Sequence, residues 1–221
     1  YSEFDFLVFP VQLFKDHVGD RNEIYFRIYY KDYLTSFLLQ SHWITLSAIW
    51  KKESLQQING FDENMICMQD GDLHIRAMIE DLNFKVFVDY SLIDSYLRIS
   101  NSYERISNNV TKQKLNGKVY AIMKFHKLLT EKKKLTPLRL RMLSARILNT
   151  SWNYNLLGER QKAYGIWNMA LQKQMISNQV HWIGKLFIFV RNLPLIKSNF
   201  IVSAIIKRIF QIFLPKFLLK L

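Results

Sequence analysis

The sequence is poor in cysteine and in glycine. Cys67 is the single cysteine among 221 residues, so an intramolecular disulfide and a multi-cysteine metal site are excluded. We expect Cys67 to behave as a small buried apolar residue. The 7 glycines form neither a Walker-type nor a dinucleotide-binding motif, so a glycine-rich phosphate loop is missing. Hydrophobic residues still make up 49% of the chain, which predicts a folded protein with a sizeable core.

Acidic residues are missing from the end of the chain. No aspartate or glutamate follows Glu159, whereas ten lysines and arginines do. Residues 1–110 hold 10 basic and 16 acidic residues, a net charge of −6, and residues 111–221 hold 21 and 2, a net charge of +19. The two values sum to the +13 of the whole chain. The basic region is expected to contact a polyanion, either phospholipid headgroups or nucleic-acid phosphates.

The spacing of apolar residues predicts an α/β first half and a helical second half. The aromatic and aliphatic run that ends at Pro10 reads as a strand, and so do Trp43 to Trp50 and Phe84 to Val88. A short helix is expected near residues 53–57, followed by a turn at 59–60 and a helix from Asp70. Beyond residue 110 the pattern is helical. Because the chain opens directly on a strand-like run, we expect it to begin within a domain.

Several short motifs follow one another between Ser47 and Arg76. They are a basic pair, the turn sequence Gly60-Phe61-Asp62-Glu63, then Gln69-Asp70, Asp72-Leu73 and Arg76. Their order and spacing resemble the second half of the catalytic domain in family 2 glycosyltransferases, and with flanking strands the resemblance covers residues 5–105. It implies that residues 1–110 form the acceptor-side half of a GT-A domain. Residues 111–221 would then be a basic α-helical extension.

The resemblance implies an inverting transfer from a nucleotide sugar to a hydroxyl on a glycan or a lipid-linked acceptor. Asp70 matches the family's general base, although the residue also suits a helix N-cap. Among the other candidate substrate-binding residues, Asp72 orients its neighbours or favours the helix dipole, and Arg76 pairs with a carboxylate or steadies a diphosphate. Gly60 is expected to have positive φ, and Phe61 to pack beneath the acceptor loop.

The sequence departs from the family pattern at the sites that bind metal and donor. The family implies a divalent cation, manganese or magnesium, held partly by an Asp-x-Asp element, and nothing before Trp43 supplies that element. Arg98 matches an arginine that the family often follows with histidine two residues later, but Ser100 stands there. We therefore do not expect residues 1–221 alone to bind the cation or to transfer sugar. Either the sequence is part of a longer protein, or it descends from a transferase that lost its donor site.

The C-terminal tail has the pattern of an amphipathic helix. Asn199, Ser203, Lys207 and Gln211 are four residues apart and would form a narrow polar stripe beside a wide apolar surface. The apolar stretches are shorter than the about 20 residues needed to cross a bilayer, so we expect the tail, taken as residues 181–221, to lie on an anionic membrane. The alternative is a core helix packed on the catalytic half. We expect a cytoplasmic protein that is peripheral on the inner face of the membrane.

Three functions remain in competition at this point. The first is a glycosyltransferase of surface polysaccharide or glycolipid synthesis, and the second is a non-catalytic membrane-associated or protein-binding module derived from one. The third is a nucleic-acid-binding protein that uses the basic half. Against it, the basic residues alternate with long aliphatic ones, and no nucleic-acid-binding signature is present, so a nucleic-acid partner is not expected.

Overall fold

The computed structural model describes residues 2–25, 32–41, 43–93, 95–99, 110–190, 201–202 and 205. The protein is mixed α/β and 57% helical, with small mixed sheets. It divides into two compact units, Tyr1–Asn109 (unit 1) and Val110–Leu221 (unit 2).

Unit 1 is built around a three-stranded mixed sheet. In chain order its described elements are β1 (Phe6–Val8), β2 (Val11–Phe14), α1 (Tyr33–Leu39), a 3₁₀ turn (Thr45–Ser47), β3 (Ala48–Trp50), α2 (Lys52–Gln57), α3 (Gln69–Ile79), β4 (Phe84–Val86), a second 3₁₀ turn (Tyr90–Leu92) and β5 (Ser95–Arg98). Strand β1 lies in the middle, antiparallel to β3 and parallel to β4. Strands β2 and β5 form a separate parallel pair.

One face of the three-stranded sheet carries a row of aromatic rings. Phe6 on β1 lies opposite Trp50 on β3 and Phe84 on β4. Its ring stacks on both, with centroid distances of 4.1 Å to Trp50 and 4.8 Å to Phe84. Such cross-strand aromatic pairs stabilise a sheet beyond the area that they bury. Helix α3 packs on this row through His74, whose ring lies beside those of Phe6 and Trp50.

The segment predicted as one strand from Trp43 to Trp50 is divided in the structure. Only Ala48–Trp50 is a strand, and Thr45–Ser47 is a 3₁₀ turn. The reason is local, because the Ser47 hydroxyl accepts a hydrogen bond from the Ile44 amide at 3.3 Å, and the Ser47 amide donates to the Ile44 carbonyl at 2.9 Å. Serine side chains compete with strand pairing in this way. The strand predicted over 84–88 likewise ends at Val86.

Unit 2 contains four described helices that follow one another closely. They are α4 (Lys112–Glu131), α5 (Pro137–Leu156), α6 (Arg160–Gln172) and α7 (Asn178–Val190), which confirms that the second half is helical. Thr111 and Thr136 cap α4 and α5, each accepting a backbone N–H through its side chain. Three of the helices end with a left-handed residue, at Lys133, Gly158 and Gln174.

Helix α7 is fixed to α5 and α6 by its buried face. The indole Nε1 of Trp167 donates to the His181 carbonyl at 2.9 Å, and Asn155 Nδ2 donates to the Ile188 carbonyl at 3.2 Å. Gly184 lies against the Trp167 ring, so close that an added Cβ would meet its Cζ2 at 2.5 Å. The glycine is therefore needed for the helices to approach at this point.

The predicted amphipathic tail lies almost wholly outside the described residues. Residues 201, 202 and 205 are described as helical, and Ile201 and Ile205 are exposed. Among the residues that the structure describes, no helix has the length and apolar character required to cross a membrane. The polar stripe from Asn199 to Gln211 stays a prediction.

Candidate functional site

The turn between α2 and α3 has the backbone shape that the sequence predicts. Asn59 and Gly60 both have positive φ, 59° and 54°, so two successive residues are left-handed. The Gly60 amide donates to the Leu55 carbonyl at 2.8 Å and closes the end of α2. The expectation of positive φ at Gly60 is confirmed. This turn contacts the last turn of α3, because Arg76 there donates to the Gly60 carbonyl.

Arg76 links this turn to helix α3. Its Nε donates to Asp72 Oδ2 at 2.8 Å, and its two terminal nitrogens donate to the carbonyl oxygens of Ile58 and Gly60. The Asp72 side chain is fully buried, and that of Arg76 is nearly so. A planar guanidinium can satisfy three acceptors at once, which an ammonium cannot do in the same geometry. Of the roles considered for Arg76, the structure places it in a buried ion pair.

Asp70 lies in the first turn of α3 but does not cap it. The N-cap is Met68, in a left-handed conformation with φ 65°, and the helix begins at Gln69. The half-buried Asp70 carboxylate accepts a hydrogen bond from the next amide, that of Gly71, at 2.9 Å. Within the described part of the chain, this local bond is the only one that its carboxylate makes. The N-cap position expected for Asp70 is therefore wrong, but its carboxylate does accept a backbone N–H of the first turn, as that interpretation expected.

The backbone that carries Asp70 is held on several sides. The Gln69 side chain donates to the Met65 carbonyl at 2.8 Å, which ties the preceding loop to the helix. A Cβ on Gly71 would meet the Ser41 hydroxyl at 2.9 Å, so this residue packs closely on the end of α1. Nδ1 of His74 lies 2.7 Å from the Asp70 carbonyl oxygen and donates to it. These contacts fix the backbone at the start of α3 and therefore the position of the Asp70 carboxylate.

His74 is a feature that sequence reasoning did not assign. Its imidazole is fully buried among four aromatic rings, with centroid distances from 5.4 to 5.9 Å; they belong to Phe6, Phe37, Trp43 and Trp50. Burial lowers the pKa of His74 from 6.5 to about 4, and the bond to the Asp70 carbonyl opposes this only in part. The residue is neutral at pH 7. Its spacing from Asp70 was the only signal in the sequence.

Three other predictions have different outcomes. Phe61 was expected to pack beneath the acceptor loop, but its side chain is 49% exposed. Arg98 is the last residue of β5, and its Nε donates to the Lys15 carbonyl at 3.0 Å, so this contact is with the backbone after β2 and not with α3. Cys67, expected to be buried, is half-buried.

The residues near Asp70 do not fit the divalent cation that the resemblance implies. Asp72 is engaged by Arg76, and the imidazole of His74 is fully buried among four aromatic rings, so neither is arranged as a ligand. Among the residues described, no group of three or more histidine, cysteine, aspartate or glutamate side chains is placed to hold a metal ion. We therefore derive no chemical step through a metal.

Comparisons of the chain with protein-family models, with curated proteins and with solved structures find no match.

Proposed function

We propose that this chain supplies the acceptor-activating part of an inverting glycosyltransferase, with Asp70 as the general base. One observation carries the proposal. Asp72, Arg76, His74 and Gly60 are each engaged in contacts that hold the helix end and its turn, whereas the Asp70 carboxylate makes a single local hydrogen bond. A half-buried carboxylate on a rigid mount is suited to accept a proton from a substrate hydroxyl.

In the proposed reaction, Asp70 takes the proton of the acceptor hydroxyl while the acceptor oxygen attacks the anomeric carbon of the donor sugar. The bond from that carbon to the diphosphate breaks, and the nucleoside diphosphate leaves with the electron pair. Attack from the opposite face inverts the anomeric configuration. Arg76 contributes indirectly, because it fixes the turn and the helix that define the position of Asp70.

The half-exposed Phe61 is proposed to contact the acceptor. It follows Gly60 directly and stands on the same turn that Arg76 fixes to α3. An exposed aromatic ring offers an apolar surface to a sugar ring or to the first carbons of a lipid-linked acceptor. The donor, a nucleotide sugar, is assigned only by class.

The proposal is tested by Asp70→Asn in the intact protein, with a panel of nucleotide sugars and glycan or lipid-linked acceptors. We expect turnover to fall by about two to four powers of ten through loss of the base, with the melting temperature unchanged. Glu53→Gln, which neutralises an exposed carboxylate on α2, is the control and should keep full activity. Equal turnover of Asp70→Asn and its parent would refute the role of Asp70.

A second candidate function is a non-catalytic module that keeps the fold. It is favoured by the buried ion pair of Asp72 with Arg76, which gives two of the candidate substrate-binding residues a structural role. This alternative predicts that the intact protein releases no nucleoside diphosphate from any donor in the panel. Asp70→Asn and its parent would then be indistinguishable in every assay.

A further inference from the structure

Within the part of the chain that the structure describes, helix α7 leaves a large apolar face uncovered, whereas its opposite face packs on α5 and α6. The uncovered side chains are Trp182, Leu186 and Phe189, exposed to 68%, 53% and 56%. They are separated by four and three residues, so they lie along one side of the helix over about 10 Å. Three large apolar side chains on one exposed helix face indicate a binding surface rather than ordinary surface composition.

The position of this face is fixed by the hydrogen bonds from Trp167 and Asn155 to α7 backbone carbonyls. Because Gly184 lies directly against the Trp167 ring, the helix cannot rotate to bury the open side without displacing an indole. The exposed side chains are therefore held outward by the packing of unit 2. They form a preformed surface.

The charge around this face selects the kind of partner. Lys185 lies between the exposed residues in sequence, and its ammonium is 5.1 Å from the centroid of the Trp182 ring. The segment from Arg160 to Val190 has four basic residues and no acidic one, and no acidic residue follows to the end of the sequence. An apolar face with a lysine beside it, on a segment without acidic residues, is complementary to a surface that is apolar inside and anionic outside.

We propose that the face formed by Trp182, Leu186 and Phe189 inserts into the headgroup region of an anionic phospholipid membrane. The indole is suited to that boundary because it has an apolar body and an N–H donor, and the lysine stem lets its ammonium reach the phosphates. The proposal goes beyond the transferase function and does not depend on it. It narrows the prediction for residues 181–221 to one face of α7, on side chains that the sequence prediction did not name.

The test compares Leu186→Ser with Leu138→Ser in the full chain. Leu138, in the first turn of α5, is 40% exposed. On α5, the ring that contacts α7 is that of Trp152, which lies beside Phe187. Leu138 is 14 residues before Trp152, a distance of about 21 Å along the helix, so it is far from the α7 face. Binding is measured by co-sedimentation with phosphatidylcholine vesicles that contain phosphatidylserine. We expect Leu186→Ser to weaken binding by about tenfold or more, and Leu138→Ser to leave it unchanged.

A second readout places the indole in the lipid. Vesicles with brominated acyl chains should quench the tryptophan fluorescence of the parent, and Trp182→Phe should remove most of this quenching while binding stays within about twofold. Trp43 and Trp167 are fully buried and should contribute little. Circular dichroism confirms that each variant is folded, and Phe189→Ser replaces Leu186→Ser if the latter is not.

Several results would overturn the proposal. One is equal vesicle binding by the two leucine variants, and another is equal quenching in Trp182→Phe and its parent. Binding to pure phosphatidylcholine as tight as to anionic vesicles would also contradict it. So would self-association of the chain that Leu186→Ser abolishes, in the absence of vesicle binding, because the face would then belong to a contact between copies.

Discussion

The ion pair between Arg76 and Asp72 should be one of the strongest single determinants of the stability of unit 1. Replacing Arg76 by Met leaves a buried carboxylate without its cation, and the Ile58 and Gly60 carbonyls lose their guanidinium donor. Breaking a buried ion pair from one side typically costs about 3–5 kcal/mol. Asp72→Leu should cost a similar amount, because it leaves the guanidinium with less compensation.

The double variant Asp72→Leu/Arg76→Met should cost much less than the sum of the two single changes. It removes both charges together and replaces them with apolar side chains of similar size, which is often nearly neutral for a buried pair. The two carbonyls still lose a donor, and water replaces it in part because Gly60 is half-exposed. We therefore expect a coupling energy of at least about 2 kcal/mol between the two residues.

The measurement is native-state hydrogen exchange, read by mass spectrometry on peptides that cover α3 and, for the control pair, on peptides that cover α4. This choice follows from the two-unit division of the chain, since a single unfolding transition cannot be assumed. Lys127 and Glu131 provide a matched control, because they have the same four-residue spacing on α4 and a 3.7 Å contact but are exposed. Their cycle should give no more than about 0.5 kcal/mol. Similar coupling energies in the two cycles would refute the reasoning.

Two further predictions concern His74 and the glycines of unit 2. Burial lowers the His74 pKa to about 4, so the stabilisation that depends on neutral His74 should be fully present above pH 6.5, and the free energy of unfolding should fall by about 3 kcal/mol towards pH 4. Hydrogen exchange in α3 should lose this pH dependence in His74→Gln. If the dependence persists in the variant, the histidine is not its cause. Gly184→Ala should lower the melting temperature through the clash with Trp167, whereas Gly165→Ala on α6, with open space around it, should raise it; equal shifts in the two would contradict this account.

The parts of the site that could be predicted from the sequence are those fixed by local rules. The four-residue spacing of Asp72 and Arg76 allows a helical ion pair, and Asn59-Gly60 is a left-handed turn sequence. The burial of His74 could not be predicted, because it depends on rings from β1, β3 and α1 that meet only in the folded unit. Phe61 was misplaced for a similar reason, since the direction of a side chain after a turn depends on what the turn packs against.

The open face of α7 illustrates a second limit. Residues 181–190 are apolar nearly all round the helix, and such a helix has no side that the sequence marks as buried. The choice is made by Gly184 and the two buried helix-to-helix hydrogen bonds, which select the side that faces α5 and α6. The sequence prediction therefore assigned the membrane contact to residues 181–221 without choosing a face of α7, and recognised a polar stripe only from Asn199 onward.

The contacts around Asp70 also determine how far its role can be separated from stability. Gln69, Gly71 and His74 hold the start of α3, and Arg76 in its last turn binds Asp72 and the Gly60 carbonyl. None of these contacts uses the Asp70 carboxylate. The change to Asn keeps the shape of the side chain and its oxygen for the Gly71 amide. Asp70→Asn should therefore remove the capacity to accept a proton without disturbing the contacts that hold the start of α3. A loss of turnover without a loss of stability would then arise from chemistry at this one carboxylate.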